Sequence, residues 1–153
     1  MSDPADIAQF RGQSRVIIDK LAPCIDGGLF PAKRVEGEKI KVDAHIFTDG
    51  HDSISAVLQY RKRGEEVWSE TAFTELPNDE WEASFTPSGI GFFEYRVLAW
   101  VDHFRFWSEG FAKKLKEGQK MSVELRIGSH LAAEAASRAQ GVDAERLEAI
   151  SRD

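Results

Sequence analysis

Asp49-Gly50-His51-Asp52 is the densest grouping of titratable side chains in the sequence, two carboxylates around an imidazole that could hold a metal ion or relay a proton. The same residues also read as a turn: Asp-Gly supplies the left-handed backbone a tight turn requires, and Asp52 caps local amides. The turn is the stronger reading. Asp102-His103 sets a carboxylate beside an imidazole at the expected end of a strand, with no third group to complete a nucleophile-base-acid triad. Cys24 has no CxxC partner and reads as a small buried thiol. Gly27-Gly28 is not followed by a helix whose N-terminus could face an anion, so it reads as a bend between strands. No catalytic, cofactor-binding or metal-ligating residue is therefore assigned, and no cofactor is expected.

Four tryptophans offer a different chemistry, because exposed indole rings stack on the apolar faces of sugars and anchor protein interfaces. Trp81 alternates with Ala83 and Phe85 and belongs in a core. Trp100 shares a face with Glu94 and Arg96, so it covers a helix, joins an interface or meets a ligand. Trp68 and Trp107 are less determined, and with Trp100 they form the candidate set for contact with sugar or a partner.

The elements that must position these residues are strands. Ile40, Val42, Ala44 and Ile46 alternate with Lys41, Asp43 and His45, the period of two that puts apolar groups on one sheet face. Ile54, Ala56, Leu58 and Tyr60 repeat the device after the 48–52 turn, which implies a hairpin or an inter-sheet crossing. Trp68 to Leu76 alternates more weakly. Pro77-Asn78-Asp79 then turns the chain into Trp81, Ala83 and Phe85, and Pro87-Ser88-Gly89 punctuates before the long strand of Phe93, Tyr95, Val97, Ala99 and Val101. Strands separated by turns and without intervening helices predict a mainly β chain, an immunoglobulin-like antiparallel β-sandwich.

After Trp107 the pattern changes. Leu131, Ala132, Ala135, Ala136 and Ala139 recur at helical spacing. Gly141 ends that helix, and Val142 and Leu147 stand as a hydrophobic staple around an Asp143 cap that starts another. The organisation expected is a loose lead over 1–14, the sandwich over 15–109 and a C-terminal helical appendage over 110–153. Its alanine-rich stripe suits packing on another helix.

At 153 residues and 42% hydrophobic content the chain fits one globular domain with an appendage. A net charge of -6, without long blocks of like charge, gives a nucleic-acid backbone little to attract, so no nucleic-acid partner is expected. The lone cysteine excludes an internal disulfide framework, and the start lacks the apolar run of a secretory signal, which argues for the cytoplasm. The most apolar segment, residues 91–107, is interrupted by Glu94, Arg96, Asp102 and Arg105, so no membrane span is expected.

Three stretches together carry a resemblance: Arg15-Val-Ile-Ile-Asp leading through Pro23-Cys-Ile-Asp-Gly-Gly-Leu-Phe-Pro-Ala-Lys-Arg-Val, then Thr48-Asp-Gly-His-Asp, then Asn78-Asp-Glu-Trp followed by Gly91-Phe-Phe-Glu-Tyr-Arg-Val-Leu-Ala-Trp-Val-Asp. In this order they resemble the N-terminal domain of bacterial α-1,4-glucan:maltose-1-phosphate maltosyltransferases, of the α-amylase superfamily (glycoside hydrolase family 13). The resemblance implies a parent enzyme that moves maltosyl units from maltose 1-phosphate to α-1,4-glucans with retention, through two carboxylates about 5 Å apart. In that family both sit in a downstream (β/α)₈ barrel, so no catalytic residue carries over to this segment. The implied role is a non-catalytic scaffold that packs on the barrel and helps form a homodimer. The alternative is a carbohydrate-binding module that tethers the enzyme to α-glucan.

Overall fold

The computed structural model describes residues 15–152, so the expected lead over 1–14 falls outside the described residues. The chain forms two compact units, one ending at Val101 and one starting at Asp102.

The first unit is an antiparallel sandwich of seven strands: β1 (Val16–Ala22), β2 (Ile40–Thr48), β3 (Ile54–Lys62), β4 (Ser69–Ala72), β5 (Thr74–Glu75), β6 (Glu80–Phe85) and β7 (Phe93–Val101). One sheet has the order β1-β2-β6-β5 and the other β4-β3-β7. The chain crosses between sheets after β2, as one of the two expected connections requires, and again at Phe73, which separates β4 from β5. Phe73 is buried and its amide N–H donates to the Ala56 carbonyl at 2.9 Å, so the weak alternation over 68–76 is one segment shared by two sheets. Lettered in chain order, the sheets are A-B-E-D and C′-C-F, the immunoglobulin-like arrangement.

The inward faces are those the alternation predicts. Val42, Ala44 and Ile46 of β2 and Trp81, Ala83 and Phe85 of β6 meet Ile54, Ala56 and Leu58 of β3 in one buried cluster. Each large side chain removed from water here contributes roughly 1.5–3 kcal/mol, which holds the sheets face to face. Trp81 is in the core and its indole N–H donates to the Ile46 carbonyl at 3.0 Å, satisfying the one polar atom that burial would otherwise orphan. Tyr60 stacks on Phe85 at a centroid distance of 4.4 Å. Asn78 and Asp79 both adopt positive φ, at 64° and 60°, and close the β5–β6 hairpin.

The second unit contains helices α1 (His103–Lys116), α2 (Ser122–Arg138) and α3 (Gly141–Arg152). Two expectations are corrected. The sandwich strands end at Val101, and the boundary expected near 109 lies inside α1, because the Asp102 carboxylate accepts from the Arg105 amide at 2.8 Å and caps a helix there. Gly141 opens the last helix, at φ 59°, and Asp143 lies in its first turn instead of capping it. The alanine stripe does pack on helix: Gly128, Ala132 and Ala136 are the buried residues of α2, and the Trp107 ring lies where a side chain at Gly128 would project.

Two stability measurements check these packings. Leu58→Ala empties a fully buried site, and urea denaturation should register a loss of about 2–5 kcal/mol from the sandwich. Gly128→Ala would drive a methyl into the Trp107 ring, so the helical unit should melt at a lower temperature by circular dichroism.

Candidate functional site

The outward face of the β4-β3-β7 sheet is set by the same alternation that fills the core. Trp100 lies opposite Ser55, Leu98 opposite Val57, Arg96 opposite Gln59 and Glu94 opposite Arg61. Trp68 directly precedes β4 and joins this face, with the guanidinium groups of Arg61 and Arg96 against its ring at 4.3 and 4.2 Å from the centroid. Polar pairs knit the same surface: Arg96 donates to Gln59 at 2.8 Å, Gln59 donates to Glu70 at 3.1 Å, and Arg61 and Arg63 both reach Glu94. Trp68 and Trp100 therefore share one sheet face. Trp68 is engaged by cations, and Trp100 stays 44% exposed beside exposed Leu98.

Trp107 belongs to the helical unit. Its indole N–H donates to the Glu124 carbonyl at 2.8 Å, and its ring packs between Phe104 and Phe111 at 5.4 and 5.2 Å. It lines an apolar cleft of about 460 Å³ with Phe106, Phe111, Ile127 and Leu131. Lys114 pairs with Glu124 at the same cleft, and that ammonium holds the Glu124 carboxyl below the usual range.

The titratable clusters resolve into structure. The Arg15 guanidinium reaches Asp49 at 3.1 Å and Asp52 at 3.3 Å, so both carboxylates of the 49–52 turn are committed to one cation. Gly50 is not among the residues of positive φ, contrary to the expected role of Asp-Gly; a methyl there would meet the Arg15 guanidinium at 3.3 Å. Asp102 is a helix cap, and His103 is the first residue of α1. Cys24 corrects another expectation: it is exposed, because it follows the end of β1 on a surface loop. Gly27 and Gly28 do bend the chain, in a single 3₁₀ turn. Among the described residues no three His, Cys, Asp or Glu side chains are grouped as metal ligands.

Sequence reasoning also missed a basic cleft. A cleft of about 580 Å³ beside the loop after β1 is lined by Lys33, Arg34, Lys39 and Lys41 together with Pro23, Val35, Glu38 and Asp43. Lys41 is held by Asp43 and Glu82, each at 2.9 Å, and these carboxylates raise its pKa. At the base of the loop the Tyr95 hydroxyl donates to the Pro23 carbonyl at 2.6 Å. Burial pushes that phenol up to about 12, with Cys24 adding to the rise. The available signal was the run of four cations over 33–41, which needed the loop's path to be recognised as one surface.

The family model described as alpha-1,4-glucan:maltose-1-phosphate maltosyltransferase, domain N/S, matches residues 14–153. Over 138 residues, 90% of this chain, the sequence is 50% identical to the protein of that name from Chlorobaculum tepidum, of which it covers 21%. The protein of the same name from Methylacidiphilum infernorum is 41% identical over 117 residues, 76% of this chain and 18% of the relative. That from Salinibacter ruber is 37% identical over 139 residues, 89% of this chain and 21% of the relative. The chain thus spans about a fifth of the length of these curated relatives.

The Tyr95 anchor has a titration signature. A folded pKa above the unfolded value of about 10 means the native state keeps its proton longer, so this contribution to stability is intact below pH 10 and is lost as pH rises toward 12. Subtracting the absorbance titration of Tyr95→Phe from that of the wild type should isolate one phenol ionising near pH 12. Ionisation near pH 10 would show that the hydroxyl is not held in this way.

Proposed function

The chain belongs to the α-1,4-glucan:maltose-1-phosphate maltosyltransferase family, as its domain N/S, and on that premise we propose that it is a non-catalytic scaffold and dimerisation domain. Its parent is a cytoplasmic enzyme of α-glucan synthesis that transfers maltosyl units from maltose 1-phosphate with retention. The two carboxylates of that chemistry belong to a (β/α)₈ barrel in another part of the parent chain.

The observation that carries this reading is the distribution of apolar surface. The sandwich closes its core completely and still leaves Leu98, Trp100, Ile90 and Phe92 exposed, and the helical unit exposes Phe104, Phe106, Leu115 and Leu125. Large apolar groups left in water on both units are surface built to be covered by protein. Trp100 is the anchor of the sheet face and Trp107 supports the helical cleft from within. The carboxylates that the sequence offered for chemistry have structural partners, Asp102 as a helix cap and Asp49 and Asp52 paired with Arg15, which supports a recognition role for the segment. Among the described residues no helix is long and apolar enough to cross a membrane.

A second reading, tethering to α-glucan, is favoured by the placement of Trp68 and Trp100 on one outward sheet face. Two measurements separate the readings. Sedimentation velocity over a rising concentration series should show self-association of the chain, and a strictly monomeric species at the highest load would count against dimerisation. In native gels cast with glycogen the scaffold reading expects unchanged mobility. Retardation lost in Trp68→Ala or Trp100→Ala would establish the tether instead.

A further inference from the structure

We infer that the loop from Ile25 to Val35 is the docking element by which this segment inserts into an apolar, carboxylate-rimmed socket on the rest of the parent polypeptide, an inference that rests on the scaffold reading above. Leu29 is 80% exposed, Phe30 59% and Val35 73%, all within eleven residues of one loop. They project from a backbone that is held in shape. Asp26, Gly27 and Gly28 are successive left-handed residues, with φ of 47°, 66° and 90°. The Ile25 carbonyl accepts from the amides of Gly28 at 3.0 Å and Phe30 at 3.4 Å, and the Leu29 amide donates to the Asp26 carbonyl at 3.3 Å. Below the turn, the Tyr95 hydroxyl ties Pro23 to β7.

Asp26 holds its left-handed backbone without the freedom of glycine, and the hydrogen bonds of the turn keep it there. What this loop presents is two large apolar tips in water. A preformed tip loses little conformational entropy on docking, so more of its burial appears as affinity.

Charge selects the occupant. Among the described residues Lys33, Arg34 and Lys39 enter no ion pair, the Arg34 guanidinium donating to the Lys33 carbonyl at 2.8 Å, and with Val35 they line one cleft. Cations beside apolar tips fit a socket edged with carboxylates. A second copy fits poorly, because a two-fold contact centred on the loop would bring Lys33 and Arg34 of both copies together. The relatives carry this segment in a polypeptide about five times its length, so a socket in the same chain meets the loop without a bimolecular encounter.

The test uses the full-length parent enzyme. Leu29→Asp, and separately the double variant Lys33→Glu/Arg34→Glu, should raise the rate at which a protease cuts between this segment and the remainder, by about tenfold for Leu29→Asp. Amide exchange over 25–35 should accelerate in parallel. Leu29→Met should restore wild-type behaviour, and Val67→Asp, at a site 79% exposed elsewhere on the sandwich, should change neither readout. Loop variants indistinguishable from Val67→Asp would overturn the docking assignment. A parent lacking residues 1–153 keeps the two claims apart. If that deletion leaves activity and oligomeric state intact, the scaffold reading fails; if it is damaging while the loop variants are silent, only the loop assignment fails.

Discussion

The closure of β2, β3 and β6 on one another is the constraint from which the rest of this molecule follows. Side chains on a strand alternate with a period of two, so placing Val42, Ala44 and Ile46 against Ile54, Ala56 and Leu58 leaves no choice for their neighbours. Gln59 and Arg61 must point outward, and pairing with β7 then delivers Arg96, Leu98 and Trp100 to the same surface. A register slip of one residue would exchange the two sets, drown Arg61 and Arg96 in the core and expose Leu58. The outer face is thus determined by the inner one, and the Trp81 indole bond to the Ile46 carbonyl locks β6 to β2 on the core side of their shared sheet.

This also explains how the outer surface is composed. Trp68 sits at the margin of the sheet, where two guanidinium groups from neighbouring strands lie on its ring and are themselves tied to Gln59 or Glu94. The interaction of each exposed pair is weak, on the order of 0.5–1 kcal/mol for a cation over an aromatic ring. Linked through shared partners, the pairs form the polar half of this face, and the exposed Leu98 and Trp100 lie beside it toward the end of β7.

Where one periodicity governs a segment, the sequence was legible. β2, β3, β6 and β7, the core position of Trp81, the 77–79 turn and the helix-packing alanines could all be read in advance, as could the family from the 15–107 motifs. Other features could not. Phe104-Arg105-Phe106 alternates and so mimics a continuing strand, whereas a helix starts there with the Asp102 carboxylate capping the Arg105 amide. Phe73 changes sheets in the middle of a segment that carries one weak alternation. The neighbours of Trp68 come from Arg61 and Arg96, 7 and 28 positions away, and only strand register brings them together. Composition likewise suggested that a lone cysteine would be buried, whereas the loop's path exposes Cys24.

The docking role inferred for the loop over 25–35 draws on a freedom that a sheet face lacks. A sheet face offers only residues at fixed spacing and is limited by its own twist in the shapes it can match. A loop leaving a strand end is free of that spacing, but ordinary loops lose conformational entropy when they bind. Here the left-handed run at Asp26, Gly27 and Gly28 and the tie from Tyr95 to Pro23 remove that freedom in advance. Part of the ordering cost is thereby met when the sandwich folds, which leaves less of it for the docking of Leu29 and Phe30. A loop like this costs the isolated domain solubility and some strain, and both penalties are relieved by the same event, contact with a complementary surface.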